Sequence, residues 1–471
     1  MKKTKSIICR ITAMMLLLAF AVGSFCSCGK QLSQIDAVKS KNFTVSAGMV
    51  SYSLYDTYYY YVNYYGESNL IYYLGIDSTK PLSEQYYDSE KGITWFDVFL
   101  DDALNNGFVN ALPLCEAALA DGIVLTELDK KFIDAEIEEV ASMAAEDGLT
   151  FEAYVEKIYG KGVTEEDVRT SLEVYRLANK KLYKDYEMAV ASSDEIDAYA
   201  AQDPDYYLCR DVEYFTLTYS NDSAKNPLIK EYAEKLKAAT SEEEFKALVA
   251  DYKNKDFCVN TYAEGEIPET KAAFYQNTTE EESKTDLEKW IFAKDTVKGS
   301  TYLEDSSASC TVYIAVSDTH KNEAETRNMY HVLLSPDIYD SLDNAKLLAN
   351  NLYTSWVEDG SSLESFKELA NKYTTDYATS YTGGYYANVA SGDLVSALNN
   401  WLFASERKEG DSAVIETEYG VHLIYYSGKG EPYWKVSAIQ AIKDEKTADL
   451  MESYAELYEV EVIEENLKYI K

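Results

Sequence analysis

An internal repeat in the second half of the chain constrains its fold more than any other sequence feature. One copy opens with the strand-like segment 210–217 and the other with the similar segment 327–334. Each segment is followed by a helical pattern, 241–252 or 362–373, with apolar residues at i, i+3, i+4 and i+7. The two copies therefore begin with the same order of elements.

The agreement continues to the end of both copies. Residues 290–293 (WIFA) match 401–404 (WLFA), and a glycine follows the phenylalanine at the same distance, at Gly299 and Gly410. Each copy then closes in an apolar strand. Collinear matches of this kind are not expected by chance, so the chain is predicted to carry two copies of one small α/β domain.

The 471 residues exceed one ordinary core, and the region before the repeat has a different pattern. From residue 46 to about 205, apolar residues recur at helical spacing, which predicts an all-helical domain. Turn-forming residues at 105–107, 121–122 and 159–162 predict breaks between its helices.

The first residues indicate export. Four basic residues precede a short apolar run over 11–22, which has the length of a signal-peptide core rather than of a membrane span. Cys28 stands where this run ends, and the pattern resembles a bacterial lipoprotein signal, with a signal peptide over 1–27, a lipid on Cys28 and a polar tether over 28–45. The alternative is a plain secreted protein whose cysteines here are incidental.

Charge and composition exclude several classes of function. The formal net charge is −37, or −41 once four basic residues leave with the signal peptide, which disfavours a nucleic-acid partner. Only 3 histidines are present, and no metal-ligand cluster, phosphate-binding loop or nucleophile elbow is visible in the sequence. We therefore expect neither a metal nor another cofactor. Cys115, within an apolar helical pattern, is predicted to be a buried free thiol.

Tyrosine is unusually abundant, with 43 copies, and it is concentrated in the segment 52–65. One interpretation is an adhesive face for unfolded chains, because tyrosine combines a large ring with a polar tip. The other is a helix whose rings pack against its neighbours. We favour the second, since a helix of this length must bury one face.

The second copy, over about 325–430, contains an ordered set of residues and motifs: His331, 373–376, Gly383 and Gly384, 392–394, Phe403, Gly410 and 417–422. This ordered set resembles that of the parvulin family of peptidyl-prolyl cis–trans isomerases.

The resemblance implies a role for each matching residue. His331 and His422 would lie on neighbouring central strands, with Thr417 in the same hydrogen-bond network. Asp376 lies beside the position where parvulins carry Cys or Asp. A separate set would form an apolar cup for the proline ring: Leu394, Leu398 and Phe403. The third histidine, His320, falls in the connector and is expected to be a solvated loop residue.

Both copies depart from the family pattern. In the second copy Tyr377 and Tyr385 replace smaller or acidic residues of the family motifs. In the first copy Tyr214 takes the first histidine position and Val312 the second, so this copy is expected to be catalytically silent.

The flanking regions resemble the exported chaperones of the SurA and PrsA type. The predicted fold class is α+β and multidomain: a helical chaperone-like domain (46–205), a degenerate parvulin-like domain (206–322) and a parvulin domain (323–430), each of the latter two a small antiparallel sheet flanked by helices. The C-terminal segment (431–471) is expected to return to the helical domain.

The resemblance implies an extracytoplasmic foldase, anchored to the membrane through Cys28, that isomerises X–Pro bonds in newly exported or unfolded polypeptides. Homodimer formation is a further expectation from the family. The alternative is a holdase chaperone whose parvulin-like domains only bind peptide, and a third hypothesis is a structural or adhesive surface lipoprotein.

Overall fold

The computed structural model describes residues 31–263, 265–277 and 281–471. The predicted signal peptide and Cys28 lie outside these residues. Within the described ranges, no helix combines the length and the apolar character needed to cross a membrane.

The region before the repeat is built mainly of helices. Four of them are preceded by a Ser or Thr whose side chain accepts a hydrogen bond from the backbone N–H three residues later. In each of the four, the residue at that later position is acidic, and its side chain accepts from the backbone N–H of the Ser or Thr. The elements in chain order are β1 (Asp36–Lys39), β2 (Thr44–Ser46), α1 (Ala47–Tyr65), α2 (Leu70–Tyr73), β3 (Tyr86–Asp88), β4 (Ile93–Thr94), α3 (Trp95–Asp101), α4 (Val109–Ala120), α5 (Glu127–Glu146), α6 (Phe151–Tyr159), α7 (Glu165–Met188) and α8 (Ser193–Ala200).

The predicted helix break at 105–107 is wrong. A π-helical segment, Asp102–Phe108, joins α3 to α4 without interruption. Asn105 and Asn106 donate to Asp101 and Asp102, one turn earlier, so their side chains support the helix. Gly107 lets the segment pack against α7, because a Cβ there would meet the Tyr175 hydroxyl.

The tyrosine-rich segment forms α1 and has two kinds of surface. Tyr52 and Tyr58 are buried in the core of the helical region. Tyr60 and Tyr64, by contrast, are 54% and 69% exposed. The packing interpretation is therefore correct for one face of α1, while the other face, at the end of the helix, is exposed to solvent.

The predicted polar tether over 28–45 is also wrong in its second half. Strands β1 and β2 pair with each other, and Ala37, Val38 and Val45 are fully buried. The four residues of β1, Asp-Ala-Val-Lys, do not alternate between apolar and polar, so the strand has no period-2 signal that the sequence could have shown.

The first copy of the repeat folds as an antiparallel sheet with three helices. Its sheet has the order β6-β5-β8-β7, with the short β9 added to one end of β5. Its elements are β5 (Leu208–Thr218), α9 (Asn226–Lys237), α10 (Glu242–Tyr252), β6 (Lys271–Gln276), α11 (Asp286–Phe292), β7 (Thr301–Asp305), β8 (Ser309–Ala315) and β9 (His320–Lys321).

The second copy has the same arrangement. Its sheet has the order β11-β10-β13-β12, so β10 and β13 are central and adjacent, as β5 and β8 are in the first copy. Its elements are β10 (Arg327–Leu334), α12 (Leu342–Glu358), α13 (Leu363–Tyr373), β11 (Tyr385–Val389), α14 (Ser396–Leu402), β12 (Ser412–Thr417) and β13 (Gly420–Lys429). The predicted α+β fold class, with two small antiparallel sheets flanked by helices, is confirmed.

The C-terminal segment contacts the helical region. It consists of α15 (Tyr433–Leu457), β14 (Glu461–Val462) and α16 (Glu464–Leu467). Trp434, Ala438 and Ile442 of α15 share a buried cluster with Ile196 of α8. Strand β14 pairs with β1, where Val38 lies opposite Val462, so the two ends of the described chain meet in one sheet.

Candidate active site

The two histidines of the second sheet lie on one face of its two central strands. His331 of β10 pairs with Ile424 of β13, and Leu333 pairs with His422. The histidines are therefore diagonal neighbours, and their rings are stacked with centroids 5.7 Å apart and planes 27° apart. Both residues are only 3% exposed. The opposite face of the sheet carries Val332, Leu334 and Leu423, which pack beneath α12 and α13.

The end of α13 brings Asp376 to His331. After the helix, Thr374 and Thr375 lie along the end of β10, where the Thr374 hydroxyl accepts from the Leu333 amide and the Thr375 amide donates to the Leu333 carbonyl. This attachment fixes the backbone just before Asp376. Asp376 Oδ2 lies 2.9 Å from His331 Nε2.

Asp376 Oδ2 is the centre of a hydrogen-bond network. It accepts from the Thr379 hydroxyl at 2.5 Å and from the Tyr386 hydroxyl at 3.1 Å, in addition to His331. Burial by itself would raise the pKa of Asp376, but the hydrogen bond and charge of His331, with the Thr379 and Tyr386 hydroxyls, lower it to about 2. Since the carboxyl group is ionised and only accepts, His331 Nε2 must carry the proton between them.

His422 has a different environment. Its Nε2 lies 2.7 Å from the Thr417 hydroxyl, which also accepts from the Tyr419 amide. Burial, and then the neighbouring His331, lower the pKa of His422 to about 4. His422 is therefore neutral near pH 7, and its neighbour His331 has a carboxylate, and not a hydroxyl alone, as its partner.

An apolar cluster adjoins the histidines on the same face. Met329, Val389, Leu402 and Tyr426 are its buried members, and Leu394 and Phe403 pack against them. Tyr386 joins the cluster to the polar network, since its ring lies edge-on to His331 at 4.9 Å. Leu398, the third residue predicted for the cup, is 4% exposed and is not among the residues of this cluster, so its place in the cup stays a prediction.

Three side chains of this site were not identified from the sequence: Thr379, Tyr386 and Met329. Thr379 lies in an irregular loop, and Tyr386 follows the altered glycine motif that ends at Tyr385. Strand alternation could have indicated Met329, two residues before His331 and therefore on its face.

Tyr377, the residue after Asp376, points away from the site. Its ring lies over Arg176 of α7, and its hydroxyl accepts from the Asn179 side chain at 3.3 Å. The nearby Tyr381 stacks on Tyr183 of α7 with ring centroids 5.1 Å apart. The substitution at position 377 therefore belongs to a contact with the helical region.

The strand register corrects one equivalence between the copies. The Gly299 amide donates to the Ala315 carbonyl, and the Gly410 amide donates to the Tyr426 carbonyl in the same way. Since the two glycines are equivalent in the repeat, Ala315 and Tyr426 take equivalent positions. Four residues earlier in each strand, Thr311 and not Val312 takes the position of His422. Val312 lies on the opposite face, in the core beneath the helices. The first histidine position holds Tyr214, as predicted.

His320 is exposed to solvent, as predicted, but it lies in a short strand and not in a loop. It forms part of β9, pairs with Cys209 of β5, and its Nε2 lies 3.0 Å from Asp211 Oδ2. The hydrogen bond to the Lys321 carbonyl, together with Asp211, raises the pKa of His320 against an opposing effect of burial. Cys115 is a buried free thiol, as predicted.

The fold and the paired histidines define a parvulin-type domain. Residues 314–429 match the family model of the PPIC-type PPIase domain. Among curated proteins, the chain is 35% identical over 68 residues to Foldase protein PrsA 1 of Listeria monocytogenes serotype 4b and 38% identical over 68 residues to Foldase protein PrsA 2 of Listeria monocytogenes serovar 1/2a. The predicted resemblance to parvulins and to PrsA-type proteins is confirmed.

These sequence matches are local. They cover 14% of this chain and 23% of PrsA 1, so the chain spans about a quarter of the length of the curated relatives it matches. Among solved structures, PrsA from Bacillus subtilis aligns over 83% of this chain and 92% of its own, at 13% identity and a TM-score of 0.22.

Proposed function

We propose that this chain is an extracytoplasmic foldase whose second repeat catalyses cis–trans isomerisation of X–Pro bonds in exported polypeptides. The observation that carries the proposal is the joining of the His331–Asp376 network and the His422–Thr417 pair to an apolar cluster on one sheet face. The match of residues 314–429 to the PPIC-type PPIase domain supports it.

The reaction needs stabilisation of a distorted amide and no covalent intermediate. The barrier is about 20 kcal/mol, and the uncatalysed exchange takes tens of seconds or longer. In the transition state the peptide bond is twisted and its conjugation is reduced. A catalyst must therefore hold the proline ring and stabilise the twisted form better than either planar form.

The residues divide these tasks. Leu394 and Phe403 hold the proline ring, and they pack against the buried Met329 side chain of β10. His331, oriented by Asp376, and His422, oriented by Thr417, form the polar floor against which the amide turns. The buried, hydrogen-bonded arrangement keeps this floor rigid, so little reorganisation is needed during the reaction.

A protease-coupled isomerisation assay on an X–Pro peptide tests the proposal. We expect the full chain to accelerate isomerisation, and the H331A/H422A double variant to lose about 100-fold in kcat/KM. H320A, which changes the histidine outside the site, is the matched control and should retain the wild-type rate. If wild type and the double variant both give the uncatalysed rate, the catalytic proposal is wrong.

A second candidate function is that of a holdase without useful catalysis. It is favoured by the exposed rings at the end of α1 and in the elements that follow, namely Tyr60, Tyr64, Tyr72, Tyr73, Tyr86 and Tyr87, which are between 54% and 82% exposed. Such rings provide apolar contact area that loses little conformational freedom on binding.

Aggregation of an unfolded client distinguishes the candidates. A holdase slows aggregation equally well with wild type and with H331A/H422A, whereas replacing Tyr64, Tyr72 and Tyr73 by Ser weakens the protection. If the full chain leaves aggregation unchanged, the holdase function is excluded.

The remaining elements of the proposal concern location and organisation. Residues 1–27 would be a signal peptide, Cys28 would carry the lipid anchor, and domains over 46–205, 206–322 and 323–430 would precede the C-terminal segment. Replacing Cys28 by Ala should release the protein from the membrane fraction of an expressing bacterium. A variant that remains fully in that fraction would contradict anchoring through Cys28.

A further inference from the structure

Arg210 of the first repeat is a buried cation with unused hydrogen-bond donors. The residue is only 2% exposed, on the sheet face that corresponds to the histidine face of the second repeat. Within the part of the chain that the structure describes, neither Nε nor Nη1 has a hydrogen-bond partner. Buried guanidinium groups are normally paired, because removing a charge and its donors from water is costly.

Arg327, the equivalent residue of the second repeat, has hydrogen-bond partners for the donors that Arg210 leaves unpaired. Arg327 Nη1 donates to the Leu402 and Ala404 carbonyls at 2.5 and 3.2 Å, and its Nε donates to Glu325. Its guanidinium also lies over the ring of Tyr426. At the position of Tyr426 the first repeat has Ala315, so no ring covers Arg210 from that side.

The space beside Arg210 is a cavity of about 570 Å³. Leu208, Phe292 and Val297 give it apolar walls, and the exposed carboxylates of Asp203, Asp205 and Asp318 also line it. Burial lowers the pKa of Arg210, while Asp318 opposes this effect. Arg210 is therefore the buried charge of the cavity, and its other charged lining residues include Lys284 and Lys294 as well as the three carboxylates.

A second unpaired group lines the same cavity. Asn277 is 8% exposed, and its Oδ1 has no partner among the described residues. Its Nδ2 donates to the Asp205 carbonyl at 2.9 Å, which fixes the orientation of the amide and leaves Oδ1 as an acceptor. The cavity therefore offers guanidinium donors and one amide acceptor.

We propose that this cavity binds the terminal carboxylate of a polypeptide. The carboxylate complements the Arg210 donors, an N–H of the last residues complements Asn277 Oδ1, and the apolar walls accept the last side chain. The choice of a polypeptide as the source of the carboxylate rests on the proposed foldase function. The site is separate from the histidine face of the second repeat and would give the first repeat a binding role without catalysis.

Calorimetric titration of the full chain tests this site. The probe is an N-acetylated hexapeptide of Ala and Ser that ends in Leu, with either a free carboxylate or a C-terminal amide. We expect the peptide with a free carboxylate to bind at least tenfold more tightly than the amidated peptide. In R210M, the affinity for the peptide with a free carboxylate should fall to that for the amidated peptide. R210M should melt no lower than wild type, since it removes an unpaired buried charge.

A second variant tests the cavity without touching the arginine. V297W should obstruct the cavity and weaken binding of the acid at least threefold. V357W, a matched change at an exposed valine of α12, should not.

Three results would overturn the proposal: equal affinity for acid and amide, unchanged binding by R210M, or a lower melting temperature for R210M, which would assign Arg210 a structural role. Equal binding of an amidated peptide with Glu as its last residue, or of free leucine, would overturn the assignment to a chain end. The titration measures binding and needs no catalysis. If the wild type lacks isomerase activity, the proposed function is wrong, but the titration still tests whether the cavity binds a terminal carboxylate.

Discussion

At the scale of single residues, the candidate site gives two histidines opposite electrostatic surroundings. His331 donates to an ionised carboxylate, whereas His422 has the hydroxyl of Thr417 as its partner and is desolvated. The sequence places both residues but gives no sign of this difference. It arises because Asp376 is brought to one histidine only.

The buried state of His422 predicts a pH dependence of stability. Its pKa is about 4 in the folded protein against 6.5 as the ordinary value, so the unfolded chain binds more protons between these limits. Stability should therefore fall as the pH drops from about 6.5 to 4, by on the order of 3 kcal/mol from this residue. Urea unfolding of H422Q should show a correspondingly flatter profile than wild type in this window.

H320Q is the control for this experiment. The pKa of His320 is raised in the folded protein, so its contribution has the opposite sign and is lost as the pH rises. If H422Q and wild type lose stability in parallel between pH 6.5 and 4, His422 is not held neutral by burial.

At the scale of elements, the approach of the loop that carries Asp376 to the sheet depends on one glycine. Gly384 precedes β11, has φ +79°, and its carbonyl accepts from the His331 amide at 2.8 Å. A Cβ at this position would overlap the His331 carbonyl oxygen and press on Ala370 of α13. Only glycine allows the loop, β10 and α13 to meet here.

We therefore expect G384A to destabilise the protein by about 3 kcal/mol or more, because backbone and helix must separate. G392A is the matched control: Gly392 also has a positive φ, of +106°, but a Cβ there meets nothing within 4 Å, so the cost should be about 1 kcal/mol. Chemical denaturation of both variants measures the difference. Equal losses would show that the close approach at Gly384 is unimportant.

At the scale of the whole molecule, the second repeat is held against the helical region through Arg176. Its Nε donates to Asp129 at 2.7 Å, with both side chains about 5% exposed or less. Its guanidinium lies 4.2 Å from the ring centre of Phe132 and over Tyr377 and Tyr381 of the loop that carries Asp376. One buried cation thus joins α5, α7 and the loop of the candidate site.

We expect R176A to cost about 3 kcal/mol in unfolding free energy, since Asp129 loses one of the two cationic partners it has among the described residues and the two tyrosines lose their contact. Limited proteolysis should at the same time cleave the loop 377–382 faster. R169A is the matched control on the same helix: Arg169 pairs with Asp134 at the surface and should contribute less than about 1 kcal/mol. If both variants behave alike, Arg176 does not link the two regions.

The elements were accessible from the sequence where their signals are local. The repeat, the amphipathic helices and the apolar strands follow from periodicity and turn residues, whereas His331, His422 and Thr417 were predicted from the resemblance to parvulins. The prediction of a tether failed over its second half, because a four-residue strand such as β1 carries little periodic signal. The pairing of β1 with β14 was also hidden, since it connects residues more than 400 positions apart.

What the sequence determined by itself was the repeated α/β unit, the helical region before it and the side chains of the second sheet that could support isomerisation. Only the tertiary structure decided that Thr379 and Tyr386 join Asp376, that Leu398 is internal, that Thr311 takes the second histidine position, and that Tyr377 contacts Arg176. The physical reason is that strand register, loop path and domain contact depend on distant parts of the chain meeting. Alternation within a strand identifies a face, but it does not identify what a loop or another domain will place against that face.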